Sequence, residues 1–383
     1  MSYNKKEILS EVLGVPENIE NVSKKIYKFF IGELEKDKDF PIDSDIEYPL
    51  ELKGPFKIAD FKIKKIGINV VFATTDEITE PVFYGMAFNA GGQLDPKNFQ
   101  LIPNVTDEIV LTFRFALPEN KDVMFGELLN TIKSDESEFL SSISHELQHG
   151  YENFKKPIES SKERARYSGV MGVNFSLPPV RRFLHYLYFI SATENVVRPV
   201  EVNSLMKSSK IKRDKFVSFL TDTRIYKTYK EASEFTLEKF KSDLMDHMDR
   251  INEILTQVGE IDSYTTDEQK VNRLIELLYI NLTNEIIGGY KDILQTDFFE
   301  RVFGFSGTKA EAFEKFVNEV LKYKNNPMKF FEYEIDKMHQ VSTNMMKKLS
   351  KMYALIDNKK SIKNWDIHDK ITKRTQIETH YRY

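Results

Sequence analysis

Between Ser144 and Gly150 the chain reads Ser-His-Glu-Leu-Gln-His-Gly, which sets His145 and His149 four positions apart with Glu146 between them. On a helix, residues four apart stand one turn above each other on the same face. The flanking sequence predicts that helix. Phe139, Leu140, Ile143, Leu147, Tyr151 and Phe154 recur at spacings of three and four, as an amphipathic helix requires. Asp135 followed by Glu138 has the form of a capping box, and Pro157 closes the segment. At about 100° per residue, the histidine pair points nearly opposite to the apolar stripe.

Two imidazoles at this spacing can reach one Zn²⁺, and the carboxylate between them can reach a water beside it. The competing reading is a solvated helix face with two incidental histidines. Chance alone yields His-Glu-x-x-His in a chain this poor in histidine on the order of once in a hundred sequences. Cysteine is absent, which excludes disulfides and thiolate ligands, so a bound metal must rest on histidine and carboxylate.

A catalytic zinc keeps three protein ligands, and the stretch Ser191-Ala-Thr-Glu-Asn-Val-Val-Arg-Pro-Val-Glu201 offers the third. Glu194 follows His149 after enough chain for a loop and a returning helix. Glu201 lies close to two helical turns beyond Glu194, so both carboxylates can face one point. One would bind the metal and the other would orient a ligand histidine from behind. Glu194 is the preferred ligand and Glu201 the alternative. Ser191-x-x-Glu194 is also a capping box in its own right, and Pro199 predicts a kink.

A length of 383 residues suggests two domains, or one core domain with a large extension. The hydrophobic share of 41% and charged share of 30% are those of an ordinary globular protein. A net charge of −4 gives no global pull toward nucleic acid or anionic membrane. No run approaches the ~18 apolar residues of a membrane span. The N-terminus lacks the apolar region of a signal peptide, so a cytoplasmic protein, or one packaged without secretion, is expected.

Taken in order, residues 1–46 read as N-terminal packing helices broken near Val15-Pro16. Residues 47–117 are β-rich, with turn signals at Gly54-Pro55, Pro81, Gly91-Gly92 and Pro118. Ile109, Leu111, Phe113, Phe115 and Leu117 alternate with Thr112 and Arg114 on the opposite face. A twisted, mostly antiparallel sheet of four or five strands is expected, leading through a loop at 118–134 into the histidine helix. Residues 158–177 read as a polar connection whose run Lys162-Glu-Arg-Ala-Arg166 is a solvated face. Pro178-Pro179 opens the next helix, on which His185 is a packing residue.

The core therefore spans 47–208, and 209–356 reads as a helical domain. There His247 and His339 stand alone, and Met338, Met345, Met346 and Met352 fill core or interface. The tail, 357–383, mixes basic residues with Trp365, Tyr381 and Tyr383. Such mixtures can bind single-stranded nucleic acid, but the basic excess is slight and a docking tail is the better reading.

His145-Glu146-x-x-His149 with Glu194 downstream resembles the zincin metallopeptidases, and among them the gluzincin branch. The segment Glu194-Asn-Val-Val-Arg198-Pro-Val-Glu201 is similar to that of phage- and virus-encoded proteins of this type. The resemblance covers about 80–205. It implies an α+β, zincin-like core followed by a large all-helical region. It also implies zinc on His145, His149 and Glu194, with Glu146 as the base that takes a proton from water, and a peptide or protein substrate. Arg198, Tyr167 and His185 are candidate donors to the developing oxyanion. Two departures stand out. No third histidine follows His149 as in metzincins, and Arg198 occupies the place of the thermolysin-type Asp. The alternative function is a structural or virion-assembly protein that keeps the scaffold without catalysis.

Overall fold

The computed structural model describes residues 14–91, 105–156, 166, 169–173, 176–290 and 308–356. The expectations for residues before 14, for 162–165, for Tyr167 and for the tail from 357 lie outside the described residues. The chain is α+β, with thirteen α-helices and one four-stranded sheet among the described residues. Its contacts divide into two compact units that interleave along the sequence. The first comprises Met1–Pro157, Val196–Thr223 and Lys348–Tyr383, the second Ile158–Asn195 and Arg224–Lys347.

The first unit holds the sheet: β1 (Tyr48–Ile58), β2 (Phe61–Thr75), β3 (Val82–Gly91) and β4 (Val105–Pro118), in the order β1-β2-β4-β3. β1 pairs antiparallel with β2 and β3 antiparallel with β4, but the central pair β2–β4 is parallel. The sheet is thus mixed. β3 turns back from β2 without pairing to it, and β4 then inserts between them, which forces the parallel register. The near-continuous apolar run Ile66-Gly-Ile-Asn-Val-Val-Phe-Ala73 in β2 is the pattern of a central strand in a parallel pair. In β4 the alternation holds: Ile109, Leu111, Phe113 and Phe115 are fully buried, and Arg114 is exposed.

Helix α1 (Ile19–Lys36) packs on this sheet through Val22, Ile26, Phe30 and Leu34. Phe30 meets Phe113 edge-on at 4.8 Å between ring centroids and stacks on Phe139 at 5.7 Å. The stretch expected as a loop before the histidine helix contains α2 (Phe125–Ser134), whose Phe125, Leu128, Leu129 and Ile132 are buried at helical spacing. The histidine helix is α3 (Glu136–Lys155), which buries all six residues of the apolar stripe. Asp135 is its N-cap position but makes no side-chain cap bond, because it also serves as the C-cap of α2. The predicted capping box is therefore not formed.

In the second unit, α4 (Pro178–Phe189) starts on its two prolines. It shares this unit and its apolar core with α7 (Arg224–Glu234), α8 (Leu237–Met245), α9 (Met248–Gln257), α10 (Asp267–Gly289), α11 (Lys309–Val320) and most of α12 (Pro327–Ser350). Phe183 is its hub, with ring centroids 5.3 Å from Phe240 and 5.2 Å from Phe331. Residues 169–172, read as part of a polar connection, are helical, and Val170 is buried in this core. Gly169 has a steric reason: a Cβ there would lie 2.5 Å from the Cα of Ile286.

His339 sits against the end of another helix, with Nε2 2.6 Å from the Phe235 carbonyl oxygen. Met338, Met345, Met346 and Met352 are all buried. The remaining helices are α5 (Ala192–Ser208), α6 (Phe216–Asp222) and α13 (Tyr353–Ile356). Most of α5 belongs with the first unit. It continues through Pro199 without a break in its helical assignment.

Candidate metal centre

Three hydroxyls fix how the helices around the histidines meet. Ser144 is fully buried, and its Oγ lies 2.8 Å from Ser23 Oγ of α1 while donating to Leu140 O at 2.9 Å. It also reaches Ser204 Oγ of α5 at 3.4 Å. Ser141 Oγ donates to the carbonyl of Glu201 at 3.2 Å. Asn203 Nδ2 donates to Glu20 Oε1 at 2.7 Å, and Lys207 pairs with the same carboxylate. Buried polar groups need such partners, and here they set the height of α3 against α5. Gly150 brings α3 close to β4: a Cβ there would stand 3.3 Å from Ile109 Cδ1.

His145 is 7% exposed. The Nε2 atoms of His145 and His149 are 3.1 Å apart. Two nitrogens on one tetrahedral zinc, each at ~2.05 Å, would be about 3.3 Å apart. His149 stacks on Phe88 of β3, 5.8 Å between centroids and 7° between planes. Glu194 stands in the first turn of α5, the same continuous helix that carries Glu201 and Ser204. It is 2% exposed and completes a group in which one ligand atom from each of His145, His149 and Glu194 lies within 4.8 Å of the others. Its backbone N–H meanwhile donates to Ser191 Oγ at 3.4 Å, so the N-cap contact and the metal-type cluster coexist. Glu146 lies beside the pair, its Oε1 4.0 Å from His145 Nε2.

Glu201 takes the supporting position. Its Oε2 lies 2.9 Å from His145 Nδ1 and accepts from Arg198 Nη1 at 2.6 Å. Burial alone would raise its pKa, but the Arg198 charge and the bond to His145 hold it down at about 2. An ionised Glu201 makes Nδ1 the protonated nitrogen of His145 and leaves the Nε2 lone pair facing His149.

Of the three oxyanion donors considered, Arg198 is engaged by Glu201. His185 packs against the rings of Tyr186, Tyr188 and Phe189, and Tyr167 lies outside the described residues. The stacking of Phe88 on His149 and the serine trio have no counterpart in the sequence reading. Both arise between segments far apart in sequence, for which spacing carries no signal. Compared with known proteins, the chain matches no family model, no curated protein and no solved structure.

Proposed function

We propose that the chain is a zinc-dependent metallopeptidase with His145, His149 and Glu194 as metal ligands and Glu146 as general base. The observation that carries this reading is the convergence of three ligand atoms within 4.8 Å, drawn from two separate helices. The donor set suits zinc: two neutral imidazoles and a carboxylate, with no thiolate in the chain. A zinc ion bound there supplies Lewis acidity and an acidified water.

The protein's own groups do the rest. Glu146 takes the water proton and returns it to the leaving amine. Glu201 holds His145 in the tautomer that leaves Nε2 free of a proton, and Arg198 holds Glu201 ionised. Edge strand β3, beyond β4 in the sheet order, offers backbone for an extended peptide to pair with, and its Phe88 braces His149. This reading extends to the fold, a zincin-like core built on α3 and the mixed sheet.

The test is cleavage of unfolded casein, with and without chelator, by wild type and Glu146→Gln. Chelator-sensitive cleavage that disappears in Glu146→Gln while zinc stays bound supports the proposal. Full activity in Glu146→Gln refutes the base, and zinc binding without any cleavage favours a scaffold role.

A further inference from the structure

We propose that the cleft between the N-terminal half of α1 and β1 binds the phosphate backbone of double-stranded nucleic acid. Its walls carry Lys24, Lys25 and Lys28 from α1 and Lys57 from β1, with Asn18 and Asn21 at its end. All four lysines are exposed. Neither they nor Lys62 forms an ion pair among the described residues, whereas the nearby acid Glu20 is taken by Lys207 and Asn203. In a chain of net charge −4, this local excess does not follow from composition.

The register of the hairpin is a second, independent sign. Lys57 stands directly opposite Lys62 across β1 and β2, and like charges facing each other in a sheet are destabilising. The other lysine pair on the same hairpin, Lys53 opposite Lys65, is compensated: Lys65 bridges to Glu51 at 3.1 Å and to Glu108 at 3.2 Å. An acid at 57 or 62 would relieve the repulsion, so the uncompensated pair marks a surface shaped for an anion. The N-terminus of α1 adds to it. Asn18 is the N-cap yet makes no side-chain cap bond, and the partial positive charge of a helix start favours phosphate.

The lining selects among polyanions. Single-strand binding depends on exposed rings for base stacking, but the aromatic residue here, Phe56, is 6% exposed. Anionic lipid offers only about 1 kcal/mol per lysine near its surface, and firmer attachment takes apolar side chains that insert, whereas Val22 is buried, at 4%. A duplex backbone needs only positive charge in a concave track.

The experiment is fluorescence anisotropy of the full chain with a labelled duplex of about 20 base pairs across a salt series starting near ~50 mM. Four lysine–phosphate contacts predict a log–log salt slope of about −3.6. Lys25→Glu/Lys28→Glu/Lys57→Glu should lose more than tenfold in affinity and most of the slope, with a thermal transition no lower than wild type. The Lys→Gln version of the same triple, which removes charge without reversing it, should show the same direction of loss. A tail variant, Lys370→Gln/Lys373→Gln/Arg374→Gln, should bind as wild type. The proposal is overturned by absence of duplex binding, by unchanged binding in both triples, or by loss confined to the tail variant. Triple-sensitive binding to phosphatidylserine vesicles without duplex binding would overturn it in favour of a membrane.

Discussion

His145 Nδ1 and Glu201 Oε2 are 2.9 Å apart, and that contact decides which nitrogen of His145 can face His149. The two residues come from different helices, α3 and α5. Their bond makes the orientation of a proposed metal ligand depend on how those helices pack.

Removing the Glu201 charge should therefore weaken metal binding without abolishing it. Partners behind a ligand histidine are typically worth 10–100-fold in metal affinity. Glu201→Gln should lose zinc affinity by about that factor, whereas Glu194→Ala should lose stoichiometric binding. Competition with a chromophoric chelator measures both.

Ser144 ties α3 to α1 and comes within reach of α5 from a fully buried position. Ser144→Ala removes its hydroxyl and leaves that of Ser23, itself buried, one partner short. Ser23 Oγ still donates to the Ile19 carbonyl at 2.9 Å, so the loss is that of an ordinary hydrogen bond, about 0.5–1.5 kcal/mol. Urea unfolding should show a lower midpoint with an unchanged m-value.

The opposed pair Lys57 and Lys62 makes a prediction about stability that is separate from ligand binding. Lys57→Glu converts repulsion into a cross-strand ion pair, a change of about 0.2–1 kcal/mol toward greater stability. Thermal melts should show the gain at low salt and its decline at high salt.

Lys348, near the end of α12, has its pKa lowered by burial, with Glu152 opposing and Lys351 reinforcing the shift. A lysine with a folded pKa below its unfolded value binds fewer protons when folded, so stability rises with pH across that interval. At neutral pH the buried charge costs stability. Lys348→Met should then stabilise the protein at pH 7, and the advantage should shrink as pH rises toward the ordinary lysine range near 10.5. Denaturant titrations at several pH values provide the comparison.

The parts legible from sequence are those governed by local periodicity. The apolar stripe of α3, the alternation of β4 and the two prolines opening α4 all depend on neighbours within a few residues. Helix α2 is legible too: Phe125, Leu128, Leu129 and Ile132 have helical spacing, which the expectation of a strand-to-helix loop obscures. Sheet order is different, because inserting β4 between β2 and β3 changes no local pattern in β3. Sequence leaves the pairing of Glu201 with His145 open, as one of two roles for that carboxylate. The packing of α5 against α3, through Ser204 and the Glu201 carbonyl, brings the two side chains together. The roles of Phe88 and Ser23 arise only in three dimensions.

The account stands on three side chains sharing one ion, and elemental analysis tests it most directly. Protein purified with zinc present and dialysed against metal-free buffer should retain one equivalent per chain, and His149→Ala and Glu194→Ala should retain essentially none. Wild-type protein that holds no zinc, or variants that hold as much as wild type, would contradict it.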